Sequence, residues 1–201
     1  FHRTVDTGLQ HGTVTVLMEK EGYEVTTYRV DGEYEDGRHP KEVTFTASLE
    51  EDLKRRDFTI NAMAYNDEVG LVDPFNGMED IEHYKIRCVG RAEDRFSEDA
   101  LRILRAIRFA SQLGFVVDSD VSFNIHKMYK NLENISIERI NSEFCKIALS
   151  SEFYIQIGLF REVFSLFIPE IKDMFDFPQN NPYHIYDVWN HTVHAVQAYE
   201  C

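Results

Sequence analysis

The sequence predicts an α+β fold, with a β-hairpin and short helices first and an all-helical remainder after them. Three observations carry this. Residues 12–18 (Gly-Thr-Val-Thr-Val-Leu-Met) and 23–30 (Tyr-Glu-Val-Thr-Thr-Tyr-Arg-Val) are rich in β-branched side chains and flank a short polar turn at 19–22. From Ser97 onward, apolar residues recur at helical spacing. The change between the two patterns falls at residues 80–95, the expected domain boundary.

Along the first part, alternation puts Tyr23, Val25, Thr27 and Arg29 on one strand face, with Glu24, Thr26, Tyr28 and Val30 on the other. Residues 31–41, with Gly32, Gly37 and Pro40, read as a polar loop. Ser48 followed by Glu51 is a capping-box pattern and starts a helix. A second helix is expected over 56–65. Residues 67–80, with Gly70, Pro74 and Gly77, form a turn or strand–turn joint, and 81–89 a short extended or helical connection.

Ser97 is the expected cap of the next helix, with Glu98 and Asp99 in its first turn, where the helix dipole favours acids. Ala100, Ile103, Leu104, Ile107 and Ala110 form its apolar stripe and Gly114 ends it. Further helices are expected at 118–130, 136–149 and 151–160.

Composition narrows the class. The 201 residues are 43% hydrophobic and 28% charged, as in a soluble globular protein. No apolar run approaches the roughly 18 residues of a membrane helix, so no membrane partner is expected. Residues 1–10 are mixed polar and do not read as a signal peptide. Cys88, Cys145 and Cys201 are widely spaced and odd in number, which fits neither a disulfide framework nor a metal-ligand pattern and points to the reducing cytoplasm. The net charge of −14 counts against a polyanionic partner. The charge is uneven, however. Residues 85–108 hold seven basic and four acidic side chains, and residues 160–201 two basic and six acidic. A basic strip on an acidic protein can bind a polyanion and fix its position.

Two segments concentrate candidate chemistry. The first is Lys54-Arg55-Arg56-Asp57-Phe58-Thr59-Ile60-Asn61. An acid and an amide presented together, as Asp57 and Asn61 would be at i, i+4, can bond a ribose hydroxyl while Arg56 takes a phosphate. The plain alternative is a solvated helix start with a surface ion pair. The second is Ser97-Glu98-Asp99-Ala100-Leu101-Arg102-Ile103-Leu104-Arg105-Ala106-Ile107-Arg108. A carboxylate accepts from an exocyclic amine and a guanidinium donates to a ring nitrogen or carbonyl. Asp99 with Arg102 could therefore take cytosine and adenine, which offer an amine beside an acceptor, and reject uracil and guanine. On spacing alone, an i, i+3 salt bridge on an amphipathic helix explains this segment equally well. Glu24, in mid-strand, reads by itself as a solvent-facing residue.

His184, Asp187, His191 and His194 share helical faces at i, i+3 and i, i+4, but they form an incomplete ligand set, and ordinary polar helix positions explain them better than a metal.

Together these residues, with Asp73-Pro74-Phe75-Asn76-Gly77, resemble the class II tRNA nucleotidyltransferases, the bacterial CCA-adding enzymes and their poly(A) polymerase relatives. The match runs through most of residues 1–114. The resemblance implies the later part of a polymerase β-like nucleotidyltransferase head (1–80), a helical neck that binds the base and RNA (81–150), and a helical body (151–201). Residues 182–194 resemble the first helix of an HD-type phosphohydrolase domain, so the body would include the start of such a domain. The implied activity is addition of CMP and AMP to tRNA 3′ ends from CTP and ATP with Mg²⁺. In that family the motifs matched by Arg56, Asp57 and Asn61 choose ribonucleotides, and those matched by Asp99 and Arg102 act as a protein template for the base. Arg105 and Arg108 match arginines that contact the nucleotide, and Glu24 the third catalytic metal carboxylate. Gly8, His11, Gly12 and Thr13 match the segment leading into the hairpin. The family's Gly-Gly segment and Asp-x-Asp metal site precede the point where these residues begin. The expectation is therefore a chain truncated at its N-terminus and its C-terminus, inactive by itself. A poly(A) polymerase and a non-catalytic RNA-binding fragment are the rival readings.

Overall fold

Strand patterns and helical stripes appear in the expected order, in a computed structural model that describes residues 3–8, 12–19, 21–32 and 43–200. His11 and most of the loop at 31–41 lie outside the described residues. The contacts divide the chain into two compact units, residues 1–56 and 57–201.

In the first unit, β1 (Arg3–Gly8), β2 (Thr13–Met18) and β3 (Glu21–Thr26) form an antiparallel sheet in that order. The register sets Val16 opposite Tyr23 and Thr15 opposite Glu24. This is the expected hairpin with one more strand. All six residues of β3 are exposed, so its alternation does not mark a buried face. Next, β4 (Arg29–Asp31) pairs antiparallel with β5 (Val43–Phe45). Then α1 (Leu49–Lys54) starts at Ser48, whose hydroxyl accepts from the Glu51 N–H at 3.3 Å. Glu51 does not close the capping box; its carboxylate accepts from the Thr46 hydroxyl at 2.6 Å.

The expected helix over 56–65 does not form. Phe58 is extended and fully buried, and bridges antiparallel to Cys88. The Thr59 N–H donates to the Arg87 carbonyl and the Val89 N–H to the Asp57 carbonyl, both at 3.0 Å. These cross-chain bonds take the backbone groups a helix would use, and only a single 3₁₀ turn follows, Thr59–Asn61. A short hairpin, β6 (Ala64–Asn66) with β7 (Gly70–Val72), leads to α2 (Gly77–Glu82) and β8 (Lys85–Ile86). Asp73 accepts from the N–H groups of Gly77 and Met78 at 2.7 and 2.9 Å, which caps α2.

The expected long helix from Ser97 is two helices. Ser97 lies inside α3 (Ala92–Glu98) and donates back to the Glu93 carbonyl. Asp99 is extended, and its carboxylate accepts from the Leu101 N–H at 3.0 Å, which starts α4 (Leu101–Leu113). The acid thus stands between the helices and satisfies the first amide of α4 from just before its cap position, Ala100, instead of filling the first turn. Gly114, at φ 66°, ends α4 as expected. Its stripe is the core of the second unit: Ile103, Leu104, Ile107 and Ala110 are fully buried with Phe58, Ile86 and Phe96. The compact units divide after Arg56, and residues 58–86 share one core with the helices after them.

Next come β9 (Val116–Val117), parallel to β8, then α5 (Ser119–Met128) and α6 (Ile137–Ala148). The helices α7 (Phe153–Leu159), α8 (Arg161–Phe164) and α9 (Val188–Glu200) follow. Phe144, Phe153, Phe164 and Phe167 meet edge to face at 5.6–6.4 Å and extend the core.

The start of α2 lies against the 3₁₀ turn so closely that a Cβ at Gly77 would sit 2.3 Å from the Thr59 carbonyl oxygen. Backbone cannot yield as a flexible side chain can. Gly77→Ala is therefore expected to destabilise the second unit by about 1–3 kcal/mol, read as a lower urea midpoint. An unchanged midpoint would show the close packing to be wrong.

Candidate functional site

Asp57 opens the second unit and is 8% exposed. Its Oδ1 accepts from the Phe58 N–H at 2.9 Å and from Asn61 Nδ2 at 3.3 Å. The expected i, i+4 contact is thus made by the 3₁₀ turn instead of a helix. Its Oδ2 accepts from Arg105 Nε at 2.7 Å, with Arg105 Nη2 at 2.5 Å. The pair joins the two motif segments across 48 residues.

Arg105 is held at mid-helix on α4, and Arg108 lies one turn on. Their guanidinium carbons stand 5.5 and 4.2 Å from the Phe109 ring centroid. Phe58 meets the same ring edge-on at 5.7 Å. Arg108 is 3.1 Å from Glu143 Oε2, and Lys146 is 3.0 Å from Glu143 Oε1. Burial lowers the Arg108 guanidinium from its usual value, with Glu143 opposing and Arg105 adding to the fall. Burial also pushes the nearby Cys88 thiol up to about 12, with the Asp57 charge adding to it, so Cys88 is not a thiolate at neutral pH.

Asp99 and Arg102 each have partners of their own. Asp99 Oδ2 accepts from Arg139 at 2.9 Å while Oδ1 caps α4. Arg102 pairs with Glu98, which also binds Arg95, and donates to the Arg95 carbonyl at 3.1 Å. Arg102 thus takes an i, i+4 acid, Glu98, one residue before Asp99. Side-chain exposures of 18% for Asp99 and 32% for Arg105 leave these two partly accessible, whereas Arg102 is buried.

Glu24 and Arg56 belong to the first unit. Glu24 is exposed on β3 opposite Thr15. Among the described residues no three His, Cys, Asp or Glu side chains converge as a metal site. Glu24 alone does not make a divalent-cation site. Arg56 Nη2 is 3.2 Å from Asp52 Oδ2. In the second unit, the His184 and His191 rings meet edge to face at 5.3 Å, His194 stacks on Tyr186 at 4.3 Å, and Asp187 accepts from the Asn190 N–H at 2.7 Å as α9 begins.

Four charged residues escaped the sequence reading as partners: Asp52, Glu98, Arg139 and Glu143. Glu143 had a signal, because it interrupts the apolar stripe of Ile140 and Ile147, where a charge needs a partner. Asp52 had one too, standing beside Leu53 and three and four residues before two arginines.

Residues 1–87 match the poly A polymerase head domain family. A CCA-adding enzyme of Leuconostoc mesenteroides is 53% identical over 152 residues, which cover 76% of this chain and 38% of that protein. The Bacillus stearothermophilus CCA-adding enzyme, solved in complex with CTP, is 44% identical with a TM-score of 0.73 over 81% of this chain and 39% of that one. A tRNA nucleotidyltransferase complexed with a primer tRNA and an incoming ATP analog is 28% identical, with a TM-score of 0.66 over 90% of this chain and 49% of that one. The chain spans about two fifths of the length of the curated relatives it matches. No helix among the described residues is long and apolar enough to cross a membrane.

Asp52 has a pH signature. Burial alone would raise its pKa, but hydrogen bonds and charge from Arg55, the Arg29 N–H and Arg56 together hold it below the usual carboxylate value. A depressed pKa contributes stability that is complete above the unfolded value, roughly 3.9, and is lost as pH falls through the folded one. The stability gap between wild type and Asp52→Asn is therefore expected to be widest at neutral pH and to narrow below about pH 4 in urea titrations. A gap independent of pH would remove the ionised carboxylate as its cause.

Proposed function

The chain belongs to the family of bacterial CCA-adding enzymes and poly(A) polymerases, and on that premise we propose that it carries the nucleotide-selecting part of a tRNA nucleotidyltransferase. The activity is addition of CMP and AMP to tRNA 3′ ends from CTP and ATP. The observation that carries this reading is the Asp57–Arg105 pair, with Asn61 on the same carboxylate. It links a group suited to a ribose hydroxyl with one suited to a phosphate.

In this reading Asp57 and Asn61 meet the ribose. Arg105, Arg108 and Arg56 meet the phosphates or the base pair, and Asp99 with Arg102 selects the base. A carboxylate has about four acceptor positions, so Asp99 can hold Arg139 and the Leu101 N–H and still accept a base amine. Its partners then orient it instead of blocking it. Transfer would need a divalent cation, Mg²⁺ in this proposal, with Glu24 among its ligands. CTP, ATP and the tRNA acceptor end are the partners and the cytoplasm the location. The three-part division into head, neck and body at 1–80, 81–150 and 151–201 belongs to the same reading.

A chain extended to the length of its relatives is expected to add CMP and then AMP to a tRNA lacking its CCA end, whereas the 201 residues alone are not. Addition of AMP alone would favour the poly(A) polymerase reading, which the description of the matched head domain supports. No incorporation by the extended chain would favour a non-catalytic RNA-binding role.

Two further outcomes are expected. Asp99→Ala with Arg102→Ala should admit UTP and GTP in that extended chain, since each good base-edge contact is worth about 1–3 kcal/mol. If the double variant rejects them as well as wild type does, the template role is wrong. Affinity for tRNA should fall steeply between low and physiological salt, with cross-links in residues 85–108 and not beyond Phe160, because phosphate neutralisation releases counterions. A flat salt response would count against the basic strip.

A further inference from the structure

In the first unit we propose that Asp52 is a positioning residue for nucleotide binding, its buried carboxylate fixing the Arg56 guanidinium that meets the triphosphate. This rests on the reading of Arg56 as a phosphate contact.

Asp52 is 3% exposed on α1. A lone carboxylate at that depth would be strongly disfavoured, and donors from two directions satisfy it. Its Oδ1 accepts from the Arg29 N–H of β4 at 3.2 Å and from Arg55 Nε and Nη2 at 3.0 and 2.7 Å. Its Oδ2 accepts from Arg56 Nη2 at 3.2 Å. The two oxygens therefore have different tasks. Oδ1 ties α1 to β4 through Arg29 and takes Arg55, whose side chain is 21% exposed. Oδ2 holds one edge of Arg56, whose side chain is 42% exposed. Neighbouring guanidiniums repel, and the carboxylate between them removes that penalty. A long side chain already fixed at one edge loses less freedom when it grips a phosphate.

The asymmetry supplies a clean variant. Asp52→Asn keeps the side chain's shape, and three donors converging on Oδ1 orient the amide with its carbonyl there. The amide nitrogen then replaces Oδ2 and presents N–H to N–H against Arg56. Arg29 and Arg55 keep their bonds to Oδ1, while the bond between Oδ2 and Arg56 is lost.

The test is isothermal titration of the 201-residue chain with CTP and with CMP, for wild type, Asp52→Asn, Arg56→Ala and the double variant. Thermal melts establish that each is folded. Asp52→Asn is expected to weaken CTP about tenfold, the scale of one charge-assisted hydrogen bond, while CMP changes by less than about twofold. In the Arg56→Ala background Asp52→Asn should cost nothing further. Equal weakening of CTP and CMP would make Asp52 merely structural and overturn the proposal, as would a loss that persists without Arg56. Should Asp52→Asn not fold, Arg56→Lys keeps a cation, leaves the Arg29 and Arg55 bonds untouched and is expected to lose CTP affinity by a similar factor. Full affinity in Arg56→Lys would show that charge without positioning suffices. If Arg56→Ala binds CTP as wild type does, the phosphate reading of Arg56 fails and this proposal with it. A tenfold loss in Arg56→Ala beside an unchanged Asp52→Asn removes the positioning role alone.

Discussion

The pair of the buried Asp57 carboxylate with the half-buried Arg105 is the constraint on which the second unit depends. It fastens the segment after Arg56 to the middle of α4, while the Asp57 carbonyl accepts from Val89 and so fixes the segment to the chain beyond β8. Losing Arg105 leaves the buried Asp57 carboxylate short of a partner, at a typical cost of about 1–3 kcal/mol. Domains have only about 5–15 kcal/mol in all, so one ion pair is a large fraction. The exposed Arg91–Glu93 pair, with side chains 72% and 38% exposed, has no comparable weight.

A second layer, α6, supports the same face. Arg139 and Glu143 lie one turn apart and reach different parts of the chain around α4. Arg139 holds Asp99 just before α4 begins, and Glu143 holds Arg108 in its second half. Phe109 is the shared apolar surface under both Arg105 and Arg108, and Phe58 closes its edge. The charged groups are thus fixed by packing as well as by pairing. That is the preorganisation a recognition site needs, because side chains already ordered lose little freedom when they bind.

Much of this was legible in the sequence. The α4 stripe and its Gly114 stop, the hairpin pairing and the helices after Asp118 follow from local patterns, which short-range sterics and burial enforce. The contact of Asp57 with Asn61 was legible too, although the backbone that makes it was not. A β-bridge between Phe58 and Cys88 depends on a segment 30 residues away, and no local pattern announces it. The helix break at Asp99 shows a different limit. An acid after a helical run suits a first turn and a cap equally well, and only the bond to Leu101 decides. Asp52 and Glu143 had local signals, but the partners of Glu98 and Arg139 were hidden, because an ion pair is a property of two residues while propensity describes one.

That break at Asp99 reaches beyond geometry. The first turn of α4 is held by a carboxylate that, in the proposed site, also meets the incoming base. Whatever draws on that carboxylate competes with the Leu101 amide, and whatever frays the turn alters the carboxylate's readiness to bind. Helix initiation and ligand choice then form one linked equilibrium observed at two places, and linkage makes the influence reciprocal. Amide exchange at the start of α4 would report which nucleotide is bound, without any label on the nucleotide itself.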